Sequence, residues 1–112
     1  MSTIQTVLIA AKTAENVDTA QYTSTNVTTI IDKFTATNYS ATAASLSINL
    51  VASGGSAGNN NLIVKAKVLQ PSETYVFPEI VGHTLLSGMF ISTLAGTASA
   101  INIRSSGRTV SN

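Results

Sequence analysis

The sequence predicts an all-β protein, a single antiparallel β-sandwich, Ig-like or jelly-roll-like, of about seven or eight short strands. Three observations carry this. Apolar residues recur with a period of two: in Ser45-Leu46-Ser47-Ile48-Asn49-Leu50-Val51, Leu46, Ile48 and Leu50 share one face and Ser45, Ser47 and Asn49 the other. The runs are rich in β-branched and aromatic residues, which suit a pleated, half-buried surface. Clusters of Gly, Pro and Asn separate the runs.

Taken in order, residues 4–11, IQTVLIAA, form a first strand, with a short helix as the competing assignment because Leu8, Ala10 and Ala11 tolerate one. Residues 12–20, KTAENVDTA, hold much of the acid content and read as a connecting loop. Residues 27–37, VTTIIDKFTAT, are a strand whose parity breaks at Ile30-Ile31, through either two-sided burial or a bulge. Residues 45–51 are the cleanest strand. Residues 53–61, SGGSAGNNN, form a flexible, projecting loop in which Gly54, Gly55, Gly58, Asn59, Asn60 and Asn61 supply positive-φ positions.

In the next strand Leu62, Val64, Ala66 and Val68 form an inner face, with Ile63, Lys65 and Lys67 opposite. Gln70-Pro71-Ser72 is a turn. Tyr75–Phe77 is a short strand ended by Pro78, which cannot donate to a ladder. Met89–Thr93 is a strand bracketed by Leu86-Ser87-Gly88 and Leu94-Ala95-Gly96-Thr97. Ile101 and Ile103 alternate with Asn102 and Arg104, and the tail from Arg108 frays unless a neighbour holds it. The chain thus divides into residues 1–26, an N-terminal arm or first strand plus connecting loop, and residues 27–112, the β-sandwich domain.

With 112 residues the chain makes one domain and one core. Only 10% of its residues are charged, against a usual quarter, and the net charge is +1. Ser, Thr and Asn must therefore cover the surface, and such a surface does not oppose close packing of identical copies. Lys12, Lys33, Lys65, Lys67, Arg104 and Arg108 are scattered and balanced by acids, so no nucleic-acid partner is expected. There is no cysteine, hence no disulfide or thiolate metal site. No secretory leader and no membrane span are expected. The Asn26-Val27-Thr28 and Asn38-Tyr39-Ser40 glycosylation patterns read as chance matches.

Catalytic chemistry is not expected. His83 is the only histidine, and a hydrogen bond to backbone in a turn suits it better than a metal. Glu79 lies four residues away, a spacing that aligns side chains only on a helix, which Pro78 and Gly82 oppose. Gly54-Gly55-Ser56-Ala57-Gly58 lacks the Gly-Lys-Ser/Thr ending of a phosphate cradle. The same run matches G-x-S-x-G in letters, but the all-β pattern gives no strand–turn–helix to hold a nucleophile elbow, and there is no Trp to stack a sugar. The expectation is no enzyme, no cofactor and no small-molecule substrate. A glycan-binding or adhesive sandwich is the alternative, with Asn59, Asn60, Asn61 and Tyr39 as the residues to contact a sugar.

Two surfaces are candidates for partners. Ile4, Val7, Leu8 and Ile9 are apolar yet separated from the core strands by a polar stretch, so they read as an arm that docks on a neighbouring subunit. Deleting residues 2–11 is then expected to abolish oligomers and spare the fold. Val76 lies between Tyr75 and Phe77, so either it or they face outward.

The order of Asn38-Tyr39-Ser40-Ala41-Thr42, Ser45–Val51, Ser53-Gly54-Gly55-Ser56-Ala57-Gly58, Leu62–Lys67, Glu73-Thr74-Tyr75, Pro78-Glu79-Ile80-Val81-Gly82-His83 and Ile103-Arg104-Ser105-Ser106-Gly107-Arg108 resembles small virion structural proteins of tailed bacteriophages. The resemblance covers roughly residues 27–110; residues 1–26 lie outside it. It implies a β-sandwich subunit present in many copies, associating with itself and with other virion proteins, as head decoration, neck or collar, or tail. It implies a place in the virion, assembled in the host bacterial cytoplasm. It transfers no catalytic residue.

Overall fold

A computed structural model describes residues 2–111, and all of them belong to one two-sheet sandwich. The strands are β1 (Ser2–Thr13), β2 (Thr19–Thr23), β3 (Thr28–Asn38), β4 (Ala44–Val51), β5 (Leu62–Leu69), β6 (Thr74–Val76), β7 (Thr84–Leu85), β8 (Phe90–Ala95) and β9 (Ile101–Ser111). The first sheet has the order β1-β9-β3-β6, with β7 also pairing β3; the second has the order β2-β8-β4-β5. Every pairing is antiparallel.

The chain crosses between sheets at nearly every connection, and only β4–β5 is a hairpin within one sheet. With β6 and β7 taken as one interrupted strand, this winding is that of a jelly roll, two Greek keys wrapped around a single core. The Ig-like alternative does not share this strand order.

Strand parity explains the core. Ile101, Ile103 and Ser105 of β9 are buried, and their ladder partners Asn38, Ala36 and Phe34 share that inner face. Leu46 and Ile48 of β4 and Ile91, Thr93 and Ala95 of β8 meet them from the second sheet. Phe77 sits edge-on to Phe34 (centroids 5.5 Å apart) and to Tyr75 (4.7 Å). Ile80, on the excursion between β6 and β7, is fully buried beside them.

Bulges reset the parity where the sequence pattern breaks. In β3 the shift lies between Ile31 and Lys33, which leaves Asp32 and Lys33 exposed and returns Phe34 inward. In β1 it lies between Val7 and Ile9, so Leu8 and Ile9 are both buried. Both bulges sit against Ser105–Gly107 of β9. Gly107 is required there, because a Cβ would overlap the Ile30 carbonyl oxygen and press on Leu8 Cδ1.

Several expectations are corrected. Residues 19–23 are a strand, β2, rather than part of a loop; its polar sequence TAQYT suits a half-exposed edge. Of the two readings of the N-terminal segment, arm or first strand, the structure has the strand: β1 pairs along β9 as an edge of the first sheet. Rather than frayed, residues 108–110 are paired on both sides, to β1 and β3, and Ser111 pairs Ser2 of β1; Asn112 lies outside the described residues. In β5, Ala66 adopts φ 49° and forms a bulge opposite Ser47, so Val68 is exposed and Lys65 and Lys67 do not share a face. Leu86 is exposed while Leu85 is buried.

Candidate functional site

The sandwich leaves four lateral edges, formed by β1, β2, β5 and the interrupted β6/β7. Three of them are blunted. β2 is five residues long, with a register shift between Ala20 and Tyr22. β5 carries the Ala66 bulge, Lys65 in solvent, and Lys67, whose Nζ lies 4.5 Å from the centre of the Tyr75 ring. β6 and β7 are three and two residues long, separated by Pro78 and the turn through Gly82. Short length, bulges, Pro and lysine are the ordinary means of stopping edge-to-edge pairing.

β1 is different. From Ser2 to Val7 it pairs with Ser111 to Ser106 without a register shift. No charged residue and no Pro occurs in residues 2–11. Ladder partners place Ile4 and Thr6 on the core-facing side, opposite Thr109 and Gly107, and Gln5 and Val7 on the outer side. Ile4 is 59% exposed and Val7 49% exposed. The four residues read as a docking arm are therefore split. Ile4 and Val7 remain available to a partner, whereas Leu8 and Ile9 are buried in the chain's own core and are withdrawn as interface residues. Deleting residues 2–11 would remove both from that core, so the expectation that the fold survives this deletion falls with them.

Val76 points away from the core while Tyr75 and Phe77 point toward it, and it is exposed. Beside it the outer face of the first sheet is lined by hydroxyls, with Thr37 and Thr74 hydrogen-bonded at 2.9 Å. Arg108 grips Asp32 with Nε at 3.1 and 3.0 Å from the two carboxylate oxygens. Both are well exposed, so the pair adds little stability.

The 53–61 loop is held rather than free. Asn61 Oδ1 accepts from the Gly58 N–H at 3.0 Å and from Asn49 Nδ2 at 2.7 Å, while Asn61 Nδ2 donates to the Ser56 carbonyl at 2.9 Å. Asn49 Nδ2 also donates to the Gly58 carbonyl. Gly54 takes the positive φ of 78° that its turn needs, whereas Gly55, Gly58, Asn59, Asn60 and Asn61 do not adopt positive φ. Instead Asn59–Asn61 form one 3-10 turn. Asn61 is thus a structural staple, and Asn59 and Asn60 stay exposed. Beneath the loop, on the outer face of the second sheet, lies an open depression of about 170 Å³. Asp18, Ser47, Asn49, Asn59 and Lys65 give it polar walls, and Leu62 and Leu94 an apolar floor. Sequence reasoning missed Asp18 and Asn49 here, because only the β4–β5 hairpin and the β1–β2 connection bring them together.

No protein-family model matches this sequence, and comparison with curated proteins and with solved structures gives no match. His83 is exposed in a turn, where its N–H donates to the Ile80 carbonyl and its carbonyl accepts the Ile31 N–H. Among the described residues no three His, Asp or Glu side chains gather where they could hold a metal. Asn38, the second glycosylation-pattern residue, is fully buried.

The titratable groups that do interact belong to local scaffolding. Glu15 accepts from Lys12 Nζ and from Gln21 Nε2, each at 2.8 Å, and these bonds, Lys12 first, hold its carboxyl below the usual range. They anchor the β1–β2 connection. Tyr75 donates to Glu79 at 3.1 Å; partial desolvation and then that carboxylate raise its hydroxyl above the usual range.

Proposed function

We propose that this chain is a structural subunit of a tailed-phage virion, present in many copies as head decoration, neck or collar, or tail component, and assembling with itself and with other virion proteins. The observation that carries the reading is the long, regular, uncharged β1 edge left open on a jelly roll whose other edges are blunted. Jelly rolls recur in viral capsid and lectin domains. Since one fold hosts many functions, the surface carries more weight than the winding. A surface of Ser, Thr and Asn with 10% charged residues lets identical copies lie close together. The order of motifs from Asn38 to Arg108 supports the same class.

The test is made on particles. Mass spectrometry of purified virions from the phage that encodes the chain should find it at many copies per particle, and gold-labelled antibody should place it on head, neck or tail. Its absence from particles produced while the chain is expressed would remove the reading.

The depression beneath the 53–61 loop favours a second reading, a glycan-binding sandwich. A carboxylate, an amide pair and an apolar floor within about 170 Å³ are the groups that sugar hydroxyls and a sugar face require. Binding on a glycan array that is lost in Asp18→Ala and Asn59→Ala would establish it. An array with no bound glycan would dismiss it.

A further inference from the structure

We propose that two copies of this chain pair edge to edge through β1, antiparallel, so that the first sheet runs unbroken across a two-fold axis at Ile4 or Gln5. This rests on the reading of the chain as a self-assembling subunit and names the occupant of its open edge as a second copy.

An exposed strand edge presents N–H and C=O groups that another strand can satisfy. Its partner must offer a regular edge of matching length. Within this chain β2 is short and shifted, β5 is bulged at Ala66 and carries Lys65, and β6/β7 is broken by Pro78. Only β1 matches β1, so the contact between copies is isologous and closes as a dimer. Identical segments that carry no charge also meet without the like-charge penalty that opposes most self-pairings.

Side-chain parity narrows the register. A two-fold axis perpendicular to the sheet keeps core-facing residues opposite core-facing residues. Ile4 then stands against Ile4 of the second copy or against its Thr6. Both registers cover the exposed Ile4 side chain on one side of the sheet, and the register about Gln5 also sets Val7 against Thr3 of the second copy on the other. The bulge beginning at Leu8 ends the regular segment and sets the extent of the pairing.

The absence of cysteine makes the test clean, since a single introduced thiol has no native partner. Sedimentation equilibrium of the full chain over a concentration series should give a dimer. Ile4→Lys should weaken self-association by about tenfold or more while the far-ultraviolet dichroism stays unchanged. Val76→Asp, at the opposite edge of the same sheet, should leave the dimer intact. Under mild oxidation Ile4→Cys or Gln5→Cys should form a disulfide-linked dimer, and Val76→Cys should not. A chain that stays monomeric throughout, a dimer that survives Ile4→Lys, or the lack of a cross-link at both Ile4 and Gln5 would each overturn the pairing. These outcomes are read on the isolated chain. A dimer found in solution but missing from virions would instead count against the proposed function and leave the pairing in place.

Discussion

The Ser47 hydroxyl accepts the N–H of Ala66 at 2.8 Å. Ala66 is the extra residue of the β5 bulge, held at φ 49°, a region L-residues enter at a cost of roughly 1–2 kcal/mol. The bond from β4 offsets part of that cost. Ser47→Ala is expected to destabilise the fold by about 0.5–1.5 kcal/mol. Ala66→Val should lose about 1–2 kcal/mol, because a β-branched side chain tolerates positive φ poorly. Urea unfolding of both variants checks this; a neutral Ala66→Val would mean that the bulge relaxes at no cost.

Gly107 is packed by the backbone of its neighbour. A methyl group there meets the Ile30 carbonyl first and Leu8 second. Gly107→Ala should therefore destabilise by about 1–3 kcal/mol. Trimming Leu8 as well should not rescue it, since the Ile30 carbonyl cannot move without breaking the β3–β9 ladder. Recovery in the double variant would place the conflict on Leu8 instead.

Asn38 joins three segments from a fully buried position. Its Nδ2 donates to the Thr42 and Leu69 carbonyls at 2.8 and 2.9 Å, and its Oδ1 accepts from the N–H and the hydroxyl of Ser40. Asn38→Leu removes the donor to the buried Leu69 carbonyl, while the Thr42 carbonyl keeps the Ser40 hydroxyl, and should cost about 1–3 kcal/mol. Asn38→Asp should fare no better, because a carboxylate cannot donate to either carbonyl. Thermal melts of the pair decide it: an Asp variant as stable as the parent would show that the donated bonds contribute little.

Glu15 supplies an acid-sensitive contact. Its carboxyl is held below the ordinary value of 4.5, chiefly by Lys12 and then by Gln21. A depressed folded-state pKa adds stability that is fully present above the ordinary value and is lost as pH falls through the lower one. The parent should therefore lose stability on acidification from about pH 5 downward, and Glu15→Gln should show a shallower loss over the same window. The difference should be small, because the pair is partly exposed. Identical acid limbs in denaturation curves would show that the contact does not persist in solution.

Much of the fold was legible because a half-buried strand writes its faces into alternate residues. Leu46, Ile48, Ile101 and Ile103 are inward as their parity requires, and Pro78 ends a strand; that Tyr75 and Phe77 share a face was legible, but which face was not. The candidate edge was half legible. Ile4 and Val7 stood out as apolar residues, but nothing local separates them from Leu8 and Ile9, because a bulge is a two-against-one relation with another strand. β2 escaped notice because a five-residue edge strand, half in water, has no apolar alternation to display.

The sequence by itself determined that this protein is all-β, sparsely charged, free of cysteine and turned at Gly54, Pro78 and Gly88. Those properties follow from side-chain chemistry and backbone allowance one residue at a time. Only the tertiary structure decided the jelly-roll order, the coincidence of bulges at Ser105–Gly107, the stapling of the 53–61 loop by Asn49 and Asn61, and which strand edge stays open. Each of these depends on residues far apart in the chain, whose meeting is set by burial of one shared core rather than by any local preference.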